Sequence, residues 1–188
     1  MHTEVHVHGV VPLKGGVTQA EVEQALRAWL EYVDLDGLAD ARSANQDEPG
    51  IVFDRRRRVL DICWTGWVGR NFQLALETSF QSMCAYAEEA AAVEVSFYHD
   101  DGRDERTLVF VGPSQDSIQE AQRRGMLDDV SQLLARHFTE GEISEVLQSV
   151  HQMFERRWSS NEAAQGGGAA RPAVAGTVRA TSAKKHLH

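Results

Sequence analysis

Three short stretches of this chain alternate with period two: EVHVHGVV at 4–11, VLDICW at 59–64 and VEVSFY at 93–98. In a β-strand, successive side chains point to opposite faces. Each stretch therefore has an apolar parity: Val5 and Val7, then Leu60, Ile62 and Trp64, then Val93, Val95 and Phe97. The opposite parity is polar: His6 and His8, Asp61 and Cys63, then Glu94, Ser96 and Tyr98. His2 and Glu4 continue the histidine parity. Such a pattern constrains the chain to a half-buried sheet with one apolar and one wet side. A slip of one residue in any strand would exchange the two sides.

Between these stretches the hydrophobic period becomes helical. Thr18 and Glu21 have the spacing of a capping box, and Val17 with Val22 that of a hydrophobic staple. Val22, Ala25, Leu26, Trp29, Leu30 and Val33 then predict one helix over 19–33. Asn71 is placed to cap a second helix, with a stripe from Phe72 through Leu76 and Phe80 to Ala87. Residues 51–53 and 59–64 read as a hairpin around DRRRR, and 93–98 with 107–111 as another around DDGRD. Asp116 caps a further helix, Gly125 marks a kink or break, and Met126 to Phe138 resume helical spacing. A final stripe runs from Ile143 through Phe154 to Trp158. The first six elements, β-α-β-β-α-β, resemble the ferredoxin-like architecture. The expected fold is thus α+β, a ferredoxin-like core with an extra edge strand and two or three C-terminal helices.

Residues 1–158 are expected to form one domain. Residues 159–188 are small and rich in glycine and alanine, and cannot bury enough surface to offset their ordering entropy. They are read as a disordered tail, and its His186 and His188 receive no role. The chain carries a net charge of -9. Its tail is net basic, so the body is more acidic still, which argues against nucleic-acid binding. No apolar run suits a membrane span and no signal peptide opens the chain, so the expected compartment is the cytoplasm. Cys63 and Cys84 sit in apolar patterns and read as reduced thiols.

Several local motifs dissolve on inspection. Asp34-x-Asp36 lacks the glycine and terminal glutamate of a calcium loop. Gly66-Trp67-Val68-Gly69 has GXXG spacing, but bulky apolar residues fill its middle, and the glycines read as turn residues. Arg55 to Arg58 read as a solvated cluster at a hairpin tip, against the alternative of a phosphate clamp. His99, His137 and His151 read as surface or boundary residues.

What remains is the polar sheet face, which gathers His6, His8, Asp61, Cys63, Glu94 and Tyr98. Two histidines at i, i+2 stand about 7 Å apart at their roots and both can reach one ion. With Asp61 or Glu94 as third ligand they form a two-histidine, one-carboxylate set suited to zinc or ferrous iron. The leading reading is nevertheless a non-catalytic binding or regulatory module acting through protein contacts, a homodimer or bound to a protein partner, with no cofactor. The competing reading is a metal-binding protein or small enzyme built on that histidine and carboxylate face.

Overall fold

The period-two stretches form the middle of an antiparallel sheet. The computed structural model describes residues 3–99, 102, 104–164 and 176–181. Strand β1 (Thr3–Pro12) runs between β3 (Val59–Val68) and β4 (Ala91–Tyr98). Outside them lie β2 (Gly50–Asp54), next to β3, and β5 (Glu105–Val111), next to β4. A further strand, β6 (Gly176–Thr181), pairs with β5 and completes the order β2-β3-β1-β4-β5-β6. With helices between the strands, the fold is α+β. The sheet extends two strands beyond β4, and so is larger than the four strands of a bare βαββαβ unit.

The register follows the alternation. Val7 lies opposite Trp64 and Val95, and His8 lies opposite Cys63 and Glu94. Val5, Val7, Leu60, Ile62, Trp64, Val93 and Val95 are all buried. Three helices supply the other wall of this core: α1 (Gln19–Ala25), α2 (Arg27–Tyr32) and α3 (Phe72–Met83). Trp29 meets Trp64, Phe72 and Phe80 edge-on at ring distances of 5.5, 6.1 and 6.0 Å. Phe72 also contacts Phe97. Burial of Phe72 and Phe80, neither exposed at all, contributes about 1.5–3 kcal/mol each.

Local details depart from the sequence pattern. The helix expected over 19–33 is interrupted at Leu26. There the Trp29 N–H turns to Leu26 O at 3.0 Å and to the buried Ser79 hydroxyl at 2.9 Å. Asn71 holds the N-cap position of α3 but makes no side-chain cap bond. Gly66 is not a turn residue, since β3 continues through it to Val68. The next helix, α4 (Gln115–Leu134), runs through Gly125 without a break. Its start is bonded by Ser114 and Ser117, each hydroxyl accepting the other residue's N–H at 3.1–3.2 Å, and not by Asp116.

The chain divides into two compact units. The first, 1–118 with 172–188, holds the sheet and α1–α3; the second, 119–171, holds most of α4 and of α5 (Glu140–Ala164). The 1–158 region of the sequence reading therefore spans both. Within the second unit, the Glu142 carboxylate accepts from the Thr139 N–H at 2.9 Å and from the Thr139 hydroxyl at 2.7 Å, and Arg123 Nη1 lies 2.7 Å from His151 Nδ1. Much of the apolar stripe there is exposed, at Met126, Leu133, Phe138, Val146 and Met153. Of the segment read as a disordered tail, α5 continues to Ala164 and Gly176–Thr181 pairs with β5. The rest of it, with His186 and His188, lies outside the described residues, as does His2.

Candidate metal centre on the polar sheet face

The odd residues of β1 feed the core, so its even residues line the opposite face. His6 and His8 stack there at 6.0 Å between ring centroids, with 11° between planes. Cys63 of β3 is the register partner of His8. One ligand atom from each of His6, His8 and Cys63 lies within 4.8 Å of the other two. His8 is exposed, and His6 and Cys63 are half-buried.

A loop reaches this group from the side. β2 begins only at Gly50, opposite Cys63, so β3 beyond that point has no strand on its outer edge. The connector takes its place: Ala44 N–H donates to Thr65 O at 2.8 Å, and Thr65 N–H donates to Ser43 Oγ at 2.8 Å. Gly50 makes the turn possible, with φ of +86° and no room for a β-carbon against the Ala41 carbonyl. Docked this way, the loop delivers Glu48. Its carboxylate accepts from the Ser43 hydroxyl at 2.5 Å, the Thr65 hydroxyl at 2.8 Å and Asn45 Nδ2 at 3.2 Å.

This network fixes a tautomer. His6 Nδ1 lies 3.0 Å from Thr65 Oγ1 and 3.5 Å from Glu48 Oε1. The Thr65 hydroxyl proton is directed at Glu48, so its oxygen accepts from His6 Nδ1–H. A neutral His6 then keeps its Nε2 lone pair free. This is the carboxylate–histidine arrangement that orients imidazole toward a metal. Burial opposes the ionisation of Glu48, but the bonds from Ser43, Thr65 and Asn45 hold it below the ordinary carboxylate range. Burial, and then the charges of Glu48 and Asp61, pushes the Cys63 thiol up.

The other residues expected on this face lie on it but apart from the three. Asp61 pairs with Arg57 at 3.9 Å. Glu94 is the other neighbour of His8, yet its carboxylate is bound by Arg106 and accepts from Ser96 Oγ at 3.3 Å. Tyr98 is an exposed register partner of Glu4 at one end of the face. The side chain brought within reach of both histidines is thus the thiol of Cys63, where the sequence reading had a carboxylate, from Asp61 or Glu94. Glu48, Ser43 and Thr65 were not among the expected residues.

Fold and site together define a small α+β protein with α1–α3 on one side of its sheet and a His–His–Cys group on the other. The chain belongs to the family described as "Family of unknown function (DUF6806)", which it matches over residues 3–155. No curated protein and no solved structure matches it significantly. Among the described residues, no helix is long and apolar enough to cross a membrane.

Proposed function

We propose that this protein is a small metal-binding module that holds a zinc-type divalent ion through His6, His8 and Cys63, oriented by Glu48. The observation that carries this reading is the mutual approach of the three ligand atoms within 4.8 Å. Tetrahedral zinc with bonds of 2.0–2.3 Å separates its ligand atoms by about 3.5 Å. Small side-chain rotations of the three residues would have to close that difference on binding. Two imidazoles and a thiolate suit zinc and other borderline-soft ions better than calcium or magnesium. Three protein ligands leave a fourth position for water or a ligand, which is where an enzyme reading would place its chemistry.

The test is cobalt and zinc titration of the full chain, followed by the thiolate-to-cobalt charge-transfer band. Stoichiometric uptake that is lost in the His6→Ala, His8→Ala double variant and stripped of that band in Cys63→Ser supports the site. Unchanged uptake in these variants removes it.

A second reading rests on Trp67, 62% exposed, and Tyr98, 44% exposed, which flank Glu4 in one row of the same face. Such aromatics suit contact with a protein partner or a second copy of the chain. Solution mass distinguishes a dimer from a monomer, and Trp67→Ser abolishes a dimer formed through this row. Two free cysteines support a reducing, cytoplasmic setting. The central order β2-β3-β1-β4 supports reading the first six elements as ferredoxin-like.

A further inference from the structure

On the outer edge of the sheet, the Asp54–Arg58 turn is fixed by hydrogen bonds. Asp54 Oδ1 accepts the N–H groups of Arg56 and Arg57, both at 2.9 Å. Leu13 N–H donates to Arg58 O at 2.8 Å, tying the turn to the chain leaving β1. Arg58 adopts φ of +55°, in the left-handed region where an arginine is strained and glycine or asparagine is at ease. Beside the turn lies a cleft of about 150 Å³, lined by Leu13, Lys14, Gly16, Val17, Phe53, Arg55 and Arg58. Its apolar part is Leu13, Val17 and Phe53; its polar part is three cations, with no carboxylate among the lining residues. Lys14 is held in place by donating to Ala85 O at 2.8 Å. Arg57, which faces Asp61, is not part of the lining.

We infer that this cleft binds a phosphate monoester, with Arg55, Arg58 and Lys14 on the phosphate and its ester group against Phe53 and Val17. An acidic protein that concentrates three cations around an apolar floor, with no carboxylate among the lining residues, selects a ligand with both characters. Guanidinium forks match phosphate oxygens in pairs. Three cations are more than one carboxylate uses, whereas a monoester is close to a dianion at neutral pH. This site is separate from the His–His–Cys group and stands or falls without it.

The experiment is calorimetric titration of the full chain with phenyl phosphate, inorganic phosphate and a short phosphoserine peptide. The expected result is binding of phenyl phosphate tighter than inorganic phosphate. The Arg55→Gln, Arg58→Asn double variant weakens it by about tenfold or more, as loss of a charge-assisted contact implies. Asparagine relieves the left-handed strain at 58, so an unchanged melting temperature separates lost binding from lost folding. The Arg56→Gln, Arg57→Gln pair removes equal charge from the same turn and leaves binding intact. Equal weakening by both pairs, equal affinity for inorganic and phenyl phosphate, or no binding at millimolar ligand overturns the proposal. Tighter binding of the peptide than of phenyl phosphate assigns the site to a phosphorylated chain; the reverse assigns it to a free small molecule.

Discussion

Gly66 shows how one absent methyl group shapes this core. It lies inside β3, where an added β-carbon would overlap the Trp64 ring. That ring cannot yield, because it is stacked on Phe72 at 5.9 Å and meets Trp29 edge-on. Gly66→Ala is therefore expected to cost about 1–3 kcal/mol, the usual range for overpacking, read as a lower midpoint in urea unfolding. An unchanged midpoint would mean the ring has room elsewhere. Glu48 is the corresponding residue at the candidate site. Glu48→Gln keeps its shape but weakens the orientation of His6, and should lower zinc affinity by about 10–100-fold, the range typical of such outer partners. Metal uptake at neutral pH should also release a proton from Cys63, since its raised thiol pKa keeps it protonated until a metal competes. Proton release is measured by titration in two buffers of different ionisation enthalpy. The histidines and Cys63 were legible in the sequence because parity alone puts them on one face. Glu48 was not, because nothing local says which way the 34–50 connector folds.

At the level of elements, periodicity predicted where helices and strands lie, while tertiary contacts decided where they end. The stripe from Val22 to Val33 shows no reason to stop at Leu26. The reason is Ser79, fifty residues away, whose buried hydroxyl takes the Trp29 N–H. Ser79→Ala leaves that buried donor with only its bond to Leu26 O, and should destabilise the protein by about 1–3 kcal/mol. By contrast, the start of α1 is purely local and was read correctly: Thr18 N–H donates to Glu21 Oε2 at 2.8 Å, and Glu21 N–H to Thr18 Oγ1 at 3.3 Å. The Thr18 N–H, and then the Thr18 hydroxyl, which also donates to Glu21 Oε2 at 2.8 Å, hold the Glu21 carboxyl below its ordinary range. A depressed folded pKa contributes stability that is present above the unfolded value and lost as pH falls through the folded one. The difference in stability between the wild type and Glu21→Gln should therefore shrink as pH is lowered from about 6 to 2. A difference that stays constant across this range would mean the box does not act through the carboxylate charge. Ser114 was missed as the start of α4 because Asp116 with Gln119 offers an equally plausible cap two residues later.

At the scale of the whole molecule, the sheet order separates the two proposed sites from the last strand. The β2–β3 turn lies at one edge and β6 at the other. The pairing of Gly176–Thr181 with β5 was not readable, because GTVRAT follows a glycine- and alanine-rich run and has little apolar surface of its own. A strand of this kind exists through the ladder it joins, satisfying backbone groups that β5 would otherwise expose. Truncation after Ala164 turns β5 into an edge. Its amides that point toward β6 should then exchange with solvent faster, while those paired with β4 keep their protection. Because β1, β3 and the Asp54–Arg58 turn are distant in strand order, zinc and phenyl phosphate affinities should stay within experimental error of the full chain. The same truncation removes His186 and His188, so zinc uptake that survives it does not depend on them. Loss of zinc binding on truncation, with β5 protection intact, would instead assign the ion to the tail histidines and leave His6, His8 and Cys63 as neighbours without a ligand.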